Sequence, residues 1–457
     1  MVVVVVVLVV VLPYGTSTTI PPPCMHSRFL LGEILIRFIP ILAKIIISCF
    51  RGGTTIDSRV WRHPRVTTRK KKNPALLFQK APPDLVWGHN HFPRGTMVTR
   101  TLVRCGRAIP NSSLGFSGAG FLAAYHLGVL RALQQHHCTK KNQRLTGVSA
   151  GALVATAVAA GLEAHAGLET VLEIAAATRR AGPLHTLQPY YSLVDVTEEA
   201  LRRRLCDNND DNHKWIQDLQ DGTTTLRIGL TDRRHVRIWP GRRQPTNSGT
   251  HATTTPTPQA VCFVDGYRDV EDVIAACVLS SYIPGVTGPT WGSLDDRNTA
   301  IYRAARRLQD MQQAGLVKDG VTGQPLPALP PIPSKMSTRE WYWDGGLVNA
   351  FPVFDRQTLI VTPIAADFAH NPSINPSLAY RARPQANHTT SIRTFRLPHA
   401  KANVHLTAAN WRTFQSLLLN PDEANLRNFY AQGYEHACLY LEQQQQQQQQ
   451  ERRRRRK

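Results

Sequence analysis

Gly147-Val-Ser149-Ala-Gly151 places a serine between two glycines, where an apolar stretch gives way to a run of small residues. A serine hydroxyl is a weak nucleophile until the backbone projects it and a neighbour takes its proton. A G-x-S-x-G turn between strand and helix meets the first need: the turn exposes the hydroxyl and the glycines make room for it. The following helix aims its N-terminus at the same point, which favours developing negative charge. Alone the pattern is common, and a plain Gly-Ser-Gly helix start has equal claim to it. Two other segments shift the balance. Ser117-Gly118-Ala119-Gly120, about 30 residues upstream, sits at another strand-to-helix turn. Its bare backbone N–H groups can serve as oxyanion donors, each worth roughly 3 kcal/mol of transition-state stabilisation. Asp344-Gly345-Gly346, within REWYWDGGLVNAFPV, sets a carboxylate between an apolar strand and a glycine pair. A bare Asp-Gly turn is the alternative there.

A free aspartate near 3.9 is a weak base for a serine. The pattern therefore implies a partly dry pocket around Asp344. It also implies reliance on positioning and oxyanion donors, not on a base matched to neutral pH. His126, one turn beyond the glycine loop, reads as a packing residue. Rival chemistries fail on their own terms. Gly118-x-Gly120-x-x-Ala123 imitates a dinucleotide fingerprint, but where an acid should follow the chain reads Cys-Thr-Lys-Lys-Asn-Gln (138–143). No phosphate loop is present. A Ser…Asp…His order would need one of His370, His399 or His405, and spacing places none of them. The eight cysteines are never closer than 15 residues, so neither a zinc site nor a disulfide framework is indicated. No metal or cofactor is called for.

The elements that must position these groups follow from the flanking pattern. Ser112–Phe116 reads as a short strand, and Phe121–Gln135 as a helix of near-3.6 period. Leu145-Thr146 ends a second strand, and Ala150–Gly161 is a helix of small residues. Gly167–Arg180 reads as another helix, stopped by Gly182-Pro183. Strand, glycine turn and helix, twice over, is a parallel α/β pattern. Gln244–Gln259 and Arg303–Lys335 are biased in composition and read as loop insertions. The glutamine run 443–450 and the arginine tail read as disordered.

The 457 residues are 42% hydrophobic and 19% charged, which excludes a wholly disordered chain. No repeat supports a collagen or a coiled coil. The net charge of +22 is uneven: residues 51–72 and 451–457 supply 12 of it. Those tracts lack interleaved aromatics apart from Trp61, so an anionic lipid surface explains them better than nucleic acid. Residues 2–12 are apolar but too short to span a bilayer, and no basic n-region precedes them. Residues 29–50 have spanning length but carry Glu33, Arg37, Pro40 and Lys44. Each charge would cost about 3 kcal/mol at the bilayer centre. With the basic run behind them they fit an interfacial anchor, a spanning or a buried core helix being the alternatives.

LGFSGAGFLAAYHLGVLRAL, TGVSAGALVATA and the WDGG segment together resemble the patatin-like phospholipase family, and within it the adipose triglyceride lipase and adiponutrin branch. Segments 181–205, 226–241, 269–289 and 425–441 extend the resemblance to about 112–441. It implies a three-layer α/β/α fold with a mostly parallel central sheet, plus disordered termini and loop insertions. It implies a Ser–Asp dyad: Ser149 as nucleophile and Asp344 as general base. Gly118, Ala119 and Gly120 would form the oxyanion hole. Gly147 and Gly151 would shape the elbow, and Gly345 and Gly346 complete the Asp-Gly-Gly motif. The reaction implied is hydrolysis of acyl-lipid carboxylesters, in triacylglycerol or phospholipid, through an acyl-Ser149 intermediate. Ala123 departs from the family's GxGxxG loop. A lipid-surface binding protein with a degenerate site, or an acyltransferase, are the alternatives. The organisation expected is an anchor region (1–104), a catalytic domain (105–356), a C-terminal extension (357–441) and a disordered tail (442–457). The setting expected is a membrane or lipid-droplet surface inside the cell, at the endoplasmic reticulum or on droplets.

Overall fold

The computed structural model describes residues 113–139, 143–182, 191–206, 212–232, 261–284, 286–288, 299–328, 342–382, 393–397, 402–418 and 421–456. The expected anchor region and the insertion 244–259 lie outside these residues.

The chain begins with β1 (Leu114–Phe116), α1 (Ala123–Gln135), β2 (Arg144–Val148), α2 (Ala150–Ala159) and α3 (Ala164–Ala181). Next come α4 (Leu193–Cys206), α5 (Asn212–Gln220), β3 (Thr225–Asp232), β4 (Val261–Val264) and α6 (Val270–Ser280). Then follow α7 (Ala300–Gln313), β5 (Val317–Asp319), β6 (Tyr342–Asp344), β7 (Leu359–Val361), β8 (Ala366–Phe368) and β9 (Ser373–Ile374). The last elements are α8 (Ser377–Ala382), β10 (Thr394–Leu397), β11 (Ala402–His405), α9 (Ala408–Leu418) and α10 (Glu423–Arg455). Among the described residues the main sheet runs β5-β4-β3-β2-β1-β7-β9, with β6 also paired to β3. The pairs β1–β2, β2–β3, β1–β7 and β7–β9 are parallel, while β4, β5 and β6 join antiparallel. Helices flank this sheet in the α/β/α arrangement expected.

The central strands are buried on both faces, which is why β1 and β7 read as apolar runs without alternation. Gly182, at φ +90, ends α3 where its stop was read. α1 and α10 touch backbone to backbone. A Cβ on Gly128 would lie 1.9 Å from the Tyr430 carbonyl oxygen, and one on Gly433 would lie 2.1 Å from that of Tyr125. A buried hydrogen bond of 2.9 Å between the Tyr125 hydroxyl and His436 Nδ1 closes the crossing.

Two expectations are corrected. Arg303–Lys335 is not a loop in its first half: α7 and β5 occupy it. Ile301, Ala304, Ala305, Leu308 and Met311 form a buried stripe at helical spacing, and β5 pairs with β4. The many arginines and glutamines of α7 lower its mean hydropathy without disturbing that stripe. The tail is not disordered either, because α10 runs on to Arg455. Glutamine and arginine are good helix formers, no Gly or Pro interrupts them, and the last-turn arginines suit the helix dipole. Residues 357–441, expected as a C-terminal extension, contribute to the same sheet and helix layers. β7 is an inner strand against β1, and α10 packs on α1. Among the described residues no helix is long and apolar enough to cross a membrane.

Candidate active site

Ser149 stands between β2 and α2 with φ +54 and ψ −133, backbone angles that a residue with a Cβ rarely adopts. The neighbouring glycines explain how the turn closes. A Cβ on Gly147 would lie 2.3 Å from the Gly151 carbonyl oxygen, and one on Gly151 would lie 2.3 Å from that of Phe116. Both positions exclude any larger residue, so G-x-S-x-G here is a steric requirement.

Asp344 ends β6. Its N–H donates to the Tyr282 carbonyl at 2.9 Å, and its own carbonyl accepts from Thr231 Oγ1 at 2.8 Å. The side chain is 3% exposed. Its Oδ1 accepts from the Gly346 N–H at 2.7 Å, and the Ser149 hydroxyl bonds the same carboxyl. Burial raises its pKa to about 7, and those two hydrogen bonds only partly oppose the rise. The pocket is therefore drier than the sequence suggests. Its consequence differs from the expectation too: the carboxyl titrates near neutral pH instead of near 3.8. Gly345 lets β6 turn away, since a Cβ there would meet the Gly229 carbonyl oxygen at 2.2 Å. Gly346 serves through its N–H.

The glycine loop comes up beside the elbow. A Cβ on Gly118 would lie 3.6 Å from Ser149 Cβ and 3.7 Å from Gly346 Cα. The three expected donors are not equivalent. Gly118 N–H is taken by the Ala350 carbonyl at 3.2 Å. Ala119 and Gly120 make no N–H hydrogen bond to another described residue, which leaves two donors for an oxyanion. Ala123 is buried at the start of α1, and its N–H bonds the Gly120 carbonyl. A methyl group is accommodated where the family pattern has glycine.

His126 is fully buried with its ring edge-on to Phe116, and burial pushes its pKa down to about 3. It lies 3.4 Å from Ser117 Oγ and stays neutral, as a packing residue. His405 sits on β11, with Nε2 2.8 Å from Asp367 Oδ2. His370 is exposed, and His399 lies outside the described residues. None of the described histidines bonds Ser149 or Asp344. Among the described residues no cluster of His, Cys, Asp and Glu could hold a metal.

One residue escaped the sequence reading. Ser280, the last residue of α6, is fully buried; its hydroxyl accepts from the Ser149 N–H at 2.9 Å and donates to the Gly229 carbonyl at 2.7 Å. It ties the strained elbow to β3 while satisfying both groups. The only hint in the sequence is a Ser-Ser pair closing an apolar helix, which is also an ordinary helix end.

The family model described as "Patatin-like phospholipase" matches residues 114–355. Among curated proteins, "Patatin-like phospholipase domain-containing protein 2" of Rattus norvegicus is 33% identical over 97 residues, 20% of each chain. The Homo sapiens protein "1-acylglycerol-3-phosphate O-acyltransferase PNPLA3" is 35% identical over 98 residues, 21% of this chain and 19% of its own. The matched segment thus spans about one fifth of the length of these relatives.

Proposed function

This chain belongs to the patatin-like phospholipase family, and on that premise we propose that it is a serine lipid acyl hydrolase working through a Ser149–Asp344 dyad. The observation that carries the reading is Asp344 itself: buried, bonded to the Ser149 hydroxyl, and raised by burial to about 7. In the proposed cycle Asp344 takes the Ser149 proton as Oγ attacks the ester carbonyl. The N–H groups of Ala119 and Gly120 stabilise the oxyanion. Collapse expels the alcohol, which takes the proton back from Asp344 and leaves an acyl-Ser149 ester. Water, deprotonated by Asp344, then attacks the acyl ester, and collapse releases the carboxylic acid as Ser149 Oγ takes the proton back from Asp344. The substrate class is an acylglycerol or phospholipid met at a membrane or lipid-droplet surface. The apolar and basic segments of 29–72 support that setting as an anchor.

A second reading replaces the water with an acyl acceptor. It is favoured by the human relative, whose name describes an O-acyltransferase. Both share the acyl-enzyme, and added monoacylglycerol separates them by product. A degenerate, binding-only site is less supported, because the Ala123 methyl is accommodated at the start of α1. The test is hydrolysis of triacylglycerol and phospholipid dispersions by the unsubstituted chain, Ser149→Ala and Asp344→Asn, with fluorophosphonate labelling mapped to Ser149. Equal activity in all three proteins, or no label at Ser149, overturns the reading.

A further inference from the structure

The second sheet, β10-β11-β8, places Phe395 opposite Val404 and Val404 opposite Ala366, so these side chains share one face. Over β8 and β11 that face is a closed core: Ala366, Ala402 and Val404 are buried with Phe351, and Phe414 of α9 packs against them. The apolar face then runs on past its cover. Phe395 on the edge strand is 40% exposed, and Leu406, just beyond β11, is 62% exposed. The Leu406 N–H bonds the Arg393 carbonyl at 2.8 Å, which holds it across from β10. Trp411, in the first turn of α9, is 49% exposed. Three of the five large apolar side chains that the described residues expose therefore belong to this hairpin and the helix next to it.

Charge follows the same boundary. Residues 368–421 contain no Asp or Glu but six Lys and Arg. Arg393, just ahead of β10 and across from Leu406, and Arg412 on α9 are exposed, whereas Arg396 pairs with Asn403 on the opposite face. The nearest preceding carboxylate, Asp367, pairs in register with Asn403 on the opposite face and is bonded by His405. Exposed Trp, Phe and Leu with an arginine rim and no carboxylate match an anionic lipid surface. Aromatic and aliphatic tips enter the headgroup boundary, and arginines meet the phosphates. An ordinary protein surface intersperses both signs of charge, and this one does not. The same helix reaches the site: a Cβ on Gly120 would lie 2.2 Å from the Leu417 carbonyl oxygen, so α9 abuts the glycine loop.

We propose that Phe395, Leu406 and Trp411, rimmed by Arg393 and Arg412, form a docking surface for an anionic lipid surface and bring the glycine loop and Ser149 to the phase that holds the substrate. The proposal rests on lipid acyl hydrolysis as the activity. It adds an interfacial contact within the folded domain to any contact made by the N-terminal region.

The experiment uses the full chain in four forms: unsubstituted, Leu406→Ser with Trp411→Ser, Arg393→Gln with Arg412→Gln, and the control Val321→Ser. Each is floated with vesicles of phosphatidylcholine plus phosphatidylserine, and with vesicles of phosphatidylcholine alone. Each is also assayed on a dissolved short-chain ester. The apolar pair should lower partition to both vesicles by roughly tenfold or more. The arginine variant should lower partition only to the anionic vesicles, by about fivefold for each charge. Val321→Ser, an equally exposed valine elsewhere, should change nothing, and all four should hydrolyse the dissolved ester alike. Unchanged partition in both variants overturns the proposal and leaves this face to a protein partner. A partition loss shared by Val321→Ser overturns it as well. Failure of the unsubstituted chain on the dissolved ester strikes the activity reading instead, while partition still reports on the surface.

Discussion

Asp272, in the first turn of α6, and Asp344, at the end of β6, are both almost fully buried, yet their surroundings act on them in opposite senses. Burial raises both. Around Asp272 it is outweighed by the Arg268 side chain and N–H and by Arg307, so this carboxylate is held below its ordinary value. Its oxygens accept from Arg268 Nε at 2.8 Å and Nη2 at 2.9 Å. Around Asp344 the partners are a hydroxyl and one backbone N–H, no cation is among them, and burial wins. Burial thus produces neither a structural nor a reactive carboxylate by itself; the charge of the partner decides. The two sites are also joined, because the helix anchored through Asp272 at its start carries Ser280 at its end. What the ion pairs fix at one terminus is delivered as a hydrogen bond to Ser149 at the other.

The sharpest way to break this contrast is to neutralise both carboxylates. Asp344→Asn should reduce lipid hydrolysis by about 10⁴-fold, as loss of a dyad member does elsewhere. Asp272→Asn should leave the rate per folded molecule close to normal. A second probe is pH. With Asp344 titrating at about 7, kcat/KM should rise tenfold per pH unit up to that value and then level off. At pH 5 it should therefore be about 100-fold below its plateau, and a profile flat between pH 5 and 8 would remove Asp344 as the base.

Stability should separate the pair by sign. Between its unfolded value of 3.8 and about 7, Asp344 holds a proton in the folded chain that the unfolded chain has lost. Its contribution therefore declines as pH rises through that window, by up to about 4 kcal/mol. Asp344→Asn should raise the urea midpoint at pH 8 and not at pH 4. Asp272 behaves in reverse: its stabilisation is present above 3.8 and is lost as pH falls through its lowered value. Asp272→Asn should cost roughly 2 kcal/mol at pH 7, a figure discounted because Arg268 and Arg307 are partly exposed. The smallest effect tests the link between the sites. Ser280→Ala orphans the Ser149 N–H and should lower kcat by about tenfold with KM nearly unchanged. Ser280→Thr should recover part of the loss, which a general loosening of α6 would not allow.

Much of the site is legible in sequence because its parts are local. The two elbow glycines and the strand–turn–helix context mark Ser149 as a candidate, the Asp-Gly-Gly turn marks Asp344, and the structure brings both segments beside Gly118. The stops of α2 and α3 are likewise written in Gly161 and Gly182. What misleads is composition. α7 reads as an insertion because its arginines and glutamines mask the stripe from Ile301 to Met311, yet its Gln312 accepts a 2.8 Å hydrogen bond from Tyr342, two residues ahead of Asp344.

The sequence by itself determined which residues could do chemistry here, because steric need and turn geometry act over a few positions. Only the tertiary structure decided what those residues are. It engaged the Gly118 N–H with Ala350 and, among the described residues, gave those of Ala119 and Gly120 no partner. It brought Ser280 from 131 residues away to the Ser149 N–H. It withheld from Asp344 the arginines it gave Asp272. Those outcomes depend on which distant groups share a dry space, and no local pattern records that.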